Sequence, residues 1–229
     1  MILQYEDVDK DKTWDKVQIL GPFNTGTNLM HQIIDIAYTA HIGPIGSTII
    51  WKHTICDNAN IVDKIGEDVL KIVMVRDPYF WLQSLKGKKR YTLESKAKDI
   101  NSLMVKSCKL RTHKFQNCAE LWNYYYSNYF KFLPKTSTIF VSYEKFIFHP
   151  LEVIGVLGNF LKLKEEYNFQ KILAIMKRPS NKRARTREEA IEFNSNPKNK
   201  IAPFNPSVQR FIRNNLDSSL VERLGYNII

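Results

Sequence analysis

Val17-Gln18-Ile19-Leu20-Gly21-Pro22-Phe23-Asn24-Thr25-Gly26-Thr27-Asn28-Leu29 is the stretch on which the reading of this chain turns. Residues 17–20 are a short apolar run and read as a strand. Residues from about 28 to 40 carry apolar side chains at helical spacing and read as a helix. The loop between them holds two glycines and several short polar side chains. Such a loop points backbone N–H groups at one spot, where the following helix N-terminus adds partial positive charge. Thr25, Thr27 and Asn28 add side-chain donors, so the segment suits a phosphate or a sulfate. It is not a Walker A loop, because Gly-Lys-Ser/Thr does not occur in it. A plain strand-to-helix turn with a capped helix looks much the same, so the loop by itself leaves both readings open.

Outward from this loop the same alternation continues. Residues 48–51, 71–75 and Thr138–Ser142 read as further strands. Helices are expected over residues 58–66, after Asp77-Pro78, over Cys118–Phe132, 151–161 and 167–176, and after Pro206. Asp77-Pro78 is an N-cap followed by proline at the first helical position. Residues 92–114 are polar and take no clear assignment. Strands alternating with helices predict an α/β fold: one domain over residues 1–229, with three layers, α/β/α, around a central, mostly parallel sheet. Ligands of such sheets sit beyond the carboxyl ends of the strands.

Each strand end therefore matters. Lys52-His53 follows the second strand; either residue is also readable as a structural or solvated group. Arg76 ends the third strand, where a guanidinium can bind a tetrahedral anion through two donors. Ser84 lies eight residues later, about two helical turns on. An Arg76–Asp77 salt bridge with a solvent-facing Ser84 is the plain alternative. Tyr143-Glu144 follows the fourth strand, and Tyr143 reads either as a ring for a base or as a rim aromatic. Convergence is what favours a site: the fold brings all four strand ends to one edge.

Composition narrows the partners. The chain has 229 residues and a formal net charge of +11, with 44% hydrophobic and 25% charged residues, as in folded globular proteins. The basic surplus suits an anionic partner: a phosphorylated cofactor, an acidic glycan, nucleic acid or an anionic membrane. No run approaches the ~18 apolar residues of a membrane span, and the acidic start lacks a signal-peptide pattern. A cytoplasmic location is expected. Three cysteines without CxxC spacing, and five histidines without paired spacing, predict neither a disulfide framework nor a metal site.

At these residues the sequence resembles the sulfotransferases that use 3′-phosphoadenosine 5′-phosphosulfate. Pro22-Phe23-Asn24-Thr25-Gly26-Thr27-Asn28-Leu29 is similar to their 5′-phosphosulfate loop, commonly P-K-S-G-T-T-x-L. Arg76 and Ser84 match the 3′-phosphate pair at its eight-residue spacing. Val141-Ser142-Tyr143-Glu144-Lys145-Phe146 resembles the family's Tyr-Glu-Asp-Leu segment, and Lys52-His53 falls where many members carry the catalytic base. The resemblance covers residues 17–163 and implies a P-loop-NTPase-like sheet. More loosely, the basic run 177–187, with Arg183, resembles the segment that closes over the 3′-phosphate. Two departures stand out. Asn24 replaces the usual loop lysine or arginine, and Lys52 and His53 are adjacent, so on an extended strand they would point to opposite faces.

The resemblance implies a transferase that moves the sulfuryl group from this donor to a hydroxyl or amine, releasing adenosine 3′,5′-bisphosphate. His53 is the implied general base, and Lys52 or Asn24 takes over from the missing cation. Asn24, Thr25, Gly26, Thr27 and Asn28 would hold the 5′-phosphosulfate, Arg76, Ser84 and Arg183 the 3′-phosphate, and Tyr143 the adenine. The acceptor, whether a sugar, a phenol, an alcohol or a peptide, is not legible. Three other readings compete. One is a nucleotide-kinase-like phosphotransferase, which the missing Walker lysine disfavours. Another is a non-catalytic nucleotide-binding module, suggested by Asn24. The last is a nucleic-acid binder using residues 122–129; those aromatics read more simply as a packed helix, so nucleic acid is disfavoured.

Overall fold

The structure, a computed structural model, describes residues 3–39, 41–42, 50–86, 93–165, 169–177 and 186–229. Its strands are β1 (Leu3–Gln4), β2 (Lys16–Leu20), β3 (His41–Ile42), β4 (Val69–Val75), β5 (Leu93–Glu94), β6 (Cys108–Leu110), β7 (His113–Phe115) and β8 (Thr138–Ser142). The helices are α1 (Thr27–Ala37), α2 (Ala59–Ile65), α3 (Pro78–Ser84), α4 (Ile100–Val105), α5 (Cys118–Phe132), α6 (Tyr143–Phe148), α7 (Pro150–Gly158), α8 (Phe169–Lys177), α9 (Arg187–Ser195), α10 (Lys198–Ile201), α11 (Pro206–Asn215) and α12 (Ser218–Arg223).

The main sheet has the order β1-β8-β4-β2-β3. β3, β2, β4 and β8 run parallel, and β1 pairs antiparallel with β8 at the edge. The α/β class and the mostly parallel sheet agree with the sequence reading. β4 is buried along its whole length because both faces are covered. Val69, Val73 and Val75 belong to one apolar cluster, with α5 and α11; Leu70, Ile72 and Met74 belong to another, with α1 and α7. This alternation is the period-two geometry of a strand sandwiched between helical layers. One side chain breaks the apolar run. Lys71 is fully buried, and its ammonium donates to the Gly66 carbonyl (2.8 Å) and the Ser137 hydroxyl (3.1 Å).

Helix boundaries follow local chemistry. The Asp77 carboxylate caps α3 by accepting from the N–H groups of Tyr79 and Phe80, with Pro78 at the first helical position. Asn58, Asn117 and Ser142 cap α2, α5 and α6 in the same way.

One expectation is corrected, and one unassigned stretch gains a structure. Ile50 and Trp51 are not a strand; they enter a turn closed by the Thr54 N–H donating to the Trp51 carbonyl (2.8 Å). The rest of that expected strand, 48–49, lies outside the described residues. The stretch without a sequence assignment forms a second, antiparallel sheet, β5-β6-β7, plus the short helix α4. Its apolar residues Leu93, Leu103, Cys108, Leu110 and Phe115 join the same cluster as Leu20 and Val73. Among the described residues no helix is long and apolar enough to cross a membrane.

Candidate functional site

β2, β4 and β8 deliver residues 21–28, Arg76 and Tyr143 to one edge of the sheet. The loop after β2 is held tightly. Gly21 has φ +150°, and a Cβ there would lie 2.7 Å from both the Met74 carbonyl oxygen and Thr25 Oγ1. Gly26 caps α1 with φ +88°, and a Cβ there would lie 2.8 Å from the Tyr143 ring. Only a residue without a side chain fits both the left-handed backbone and the aromatic contact. Thr25 is fully buried, and its hydroxyl donates to the Pro22 carbonyl (2.8 Å), which shapes the loop from within. The Thr25 hydroxyl is therefore committed to the loop's own backbone.

Helix α1, eleven residues long, has no side-chain cap at its N-terminus. The first-turn N–H groups keep their donor capacity and the partial positive charge of the helix end. A cation is held against this same end: the Lys52 ammonium donates to the Asn28 side-chain carbonyl. Burial lowers the Lys52 pKa. A lysine beside a helix N-terminus is electrostatically unfavourable unless an anion neutralises both.

The turn at 51–54 removes the conflict that an extended strand would impose, because Lys52 and His53 both reach the loop. His53 Nδ1 donates to the Gly21 carbonyl (2.7 Å). That bond selects the tautomer whose Nε2 carries the free lone pair. The ring packs against Phe23 (4.6 Å between centroids) and Trp51 (5.2 Å). Burial, aided by the Lys52 charge and partly opposed by the Gly21 carbonyl, pushes the His53 pKa down to about 4. The imidazole is neutral at physiological pH.

Arg76 is buried at the end of β4. Its Nη1 donates to the Asn24 carbonyl (2.9 Å), its guanidinium carbon lies 4.9 Å from the centroid of the Tyr143 ring, and its Nε is a buried donor with no partner among the described residues. The neighbouring Asp77 is paired instead with Lys200, at 2.7 Å, so the alternative of an Arg76–Asp77 bridge is not what the fold adopts. Asn24 Nδ2 donates to the carbonyl (3.1 Å) and hydroxyl (3.2 Å) of Ser84, and that hydroxyl donates to the Trp81 carbonyl (2.6 Å). Asn24, Arg76, Ser84, Tyr143 and Gly26 thus form one contact network. Arg183 lies outside the described residues.

Sequence reasoning missed what supports these groups. The phenols of α5 act as donors to the backbone beneath the site: Tyr125 to the His53 carbonyl (3.0 Å), Tyr129 to the Thr54 carbonyl (2.9 Å) and Tyr126 to the Met74 carbonyl (3.2 Å). Burial raises all three phenol pKa values, which keeps them protonated donors. Trp122 Nε1 donates to the Arg76 carbonyl (3.3 Å). The tyrosines at 125, 126 and 129 are legible in the sequence as a cluster, but their targets are more than fifty residues away and become evident only on folding. Glu144 is likewise interior: it accepts from the Asp77 N–H (3.2 Å) and the Tyr226 hydroxyl (2.7 Å), and burial together with Asp77 raises its pKa. Among the described residues no group of His, Cys, Asp and Glu is arranged to hold a metal ion. No family model and no curated protein matches this sequence, so function is read from the site itself.

Proposed function

We propose that this protein is a sulfotransferase that uses 3′-phosphoadenosine 5′-phosphosulfate and transfers its sulfuryl group to a hydroxyl or amine. The carrying observation is the joining of Arg76, Ser84 and the 21–28 loop through Asn24, at the uncapped end of α1 and beside His53. A donor with phosphates at both its 3′ and 5′ positions needs two anion sites a nucleoside apart. The α1 end with Lys52 is suited to one, and Arg76 with Ser84 to the other. Ser84 needs only a rotation of its hydroxyl away from the Trp81 carbonyl to donate to a phosphate oxygen. The Tyr143 ring, between Gly26 and Arg76, is suited to the adenine. The proposal includes the P-loop-NTPase-like arrangement, which the loop between β2 and α1 supports.

In this reading the N–H groups of residues 25–28 and the Lys52 ammonium hold the oxygens around which negative charge develops. Lys52 supplies the cation that Asn24 does not. His53 Nε2 takes the acceptor's proton as the new bond to sulfur forms and the bond to the departing phosphate oxygen breaks. The Gly21 carbonyl fixes the ring, and the neutral imidazole is ready to accept a proton.

A second reading is a nucleotide-binding module without turnover. It is favoured by the commitment of the Asn24 side chain to Ser84 and by the lack of any lysine or arginine in the loop itself. Calorimetry with adenosine 3′,5′-bisphosphate, and with ATP plus magnesium in parallel, tests the donor site. Micromolar binding of the bisphosphate that falls at least tenfold in Arg76→Ala and Ser84→Ala is expected. Binding of ATP but not of the bisphosphate overturns the reading. Bisphosphate binding without transfer to any of a panel of phenols, sugars and amines selects the second reading.

A further inference from the structure

Among the described residues two non-glycine residues have positive φ: Asn24 (59°) in the loop and Arg111 (56°). Arg111 and Thr112 form the two-residue connection between β6 and β7, where Leu110 pairs with His113. With positive φ at its first residue only, this connection has the pattern of a II′ hairpin turn, whose first position ordinarily takes glycine. An arginine there costs conformational energy that glycine avoids, and such outliers cluster at functional sites.

The side chain is held over the site described above. The Arg111 guanidinium carbon lies 4.0 Å from the centroid of the Trp51 ring, and Trp51 lies 5.2 Å from His53. Those two legs set an upper limit on the separation of guanidinium and imidazole and keep both groups on the same small region of the surface. Arg111 is exposed and has neither a hydrogen bond nor an ion pair among the described residues. Stacking uses the face of the guanidinium and leaves the in-plane N–H donors for an oxyanion. The turn is anchored: His113 Nε2 and Asp57 Oδ2 lie 2.6 Å apart, which ties the hairpin to the segment carrying Trp51 and His53, and Tyr124 packs on the His113 ring at 5.6 Å.

We infer that Arg111, stacked on Trp51, selects acceptors that carry an oxyanion, a carboxylate or a sulfonate-type group, in addition to the hydroxyl presented to His53. The inference rests on the transferase reading for the word acceptor, but the anion site itself does not require the donor. Three phenols of similar size test it: 4-hydroxyphenylacetate, 4-hydroxybenzenesulfonate and the neutral 4-hydroxyphenylacetamide. Each is titrated into 15N-labelled protein while the Trp51 indole N–H resonance, assigned through Trp51→Phe, is followed. At least one anion is expected to shift it saturably with an affinity at least tenfold above that of the amide; which anion does so distinguishes carboxylated from sulfated acceptors. Arg111→Gly, which relieves the turn, is expected to abolish the preference and leave bisphosphate affinity unchanged. Equal binding of all three phenols, or a preference that survives in Arg111→Gly, overturns the inference. An anion preference in a protein that does not bind the bisphosphate supports the Arg111 site and sinks the donor reading alone.

Discussion

The side-chain amide of Asn24 donates to both oxygens of Ser84, carbonyl and hydroxyl, at 3.1 and 3.2 Å. This pair links the loop after β2 to the C-terminal end of α3 across sixty residues of sequence. The Asn24 carbonyl meanwhile accepts from Arg76. Asn24 is thus a brace that joins the loop to both Ser84 and Arg76. A lysine in its place would carry a charge the loop lacks but would not donate to Ser84 with the same short, planar amide.

Removing the brace separates its two contributions. Asn24→Gly keeps the left-handed backbone at φ 59° and deletes both side-chain hydrogen bonds. It is expected to lower stability by about 1–2 kcal/mol and to weaken bisphosphate binding several-fold. Asn24→Ala adds left-handed strain and is expected to cost about 1 kcal/mol more. Urea unfolding of the two variants side by side measures the difference. Equal stability would mean that strain at this position is negligible.

The contact between Gly26 and Tyr143 makes a paired prediction. In Gly26→Ala the new methyl meets the Tyr143 ring at 2.8 Å, on a backbone at φ +88°. A loss of about 2–3 kcal/mol is expected, from overpacking and strain together. Adding Tyr143→Ala removes the clash but not the strain, so the double variant is expected to lose less than the sum of the singles. Additive losses in a double-mutant cycle would show that the ring moves aside at no cost.

His53 gives a pH signature. Its folded pKa lies near 4, below the ordinary 6.5, because burial penalises the imidazolium. Between those values the unfolded chain binds the extra proton, so stability rises with pH. The contribution is fully present above pH 6.5 and is lost as pH falls toward 4. Relative to His53→Gln, the native protein is expected to lose on the order of 2–3 kcal/mol between pH 7 and pH 4. Denaturant melts of both proteins across that range check it; parallel pH profiles would place the imidazole in water.

Much of the frame is legible in the sequence because its causes are local. The apolar run at 71–75 ends at Arg76, Asp77-Pro78 starts a helix through its own carboxylate and ring, and Cys118–Phe132 carries its own apolar periodicity and Asn117 cap. The spacing of Arg76 and Ser84, and the glycines of the loop, are also local facts. Other features are not. The strand expected before Lys52 gives way to a turn, because the Gly21 carbonyl and the Tyr125 and Tyr129 hydroxyls bond to residues 53 and 54 and hold that segment folded. Residues 93–115 have no strong periodicity, since each of their strands is two or three residues long and only part of each is buried.

The sequence by itself determined the α/β alternation, the glycine loop at the end of β2 and the placement of Arg76 and Tyr143 at strand ends, because backbone propensity, capping and apolar period act over a few residues. Only the tertiary structure decided that Lys52 and His53 share one side of a turn, that Asn24 braces Ser84, and that Arg111 sits on Trp51. Those relationships are hydrogen bonds and ring contacts between segments far apart in the chain, and no local preference encodes which distant partner completes them.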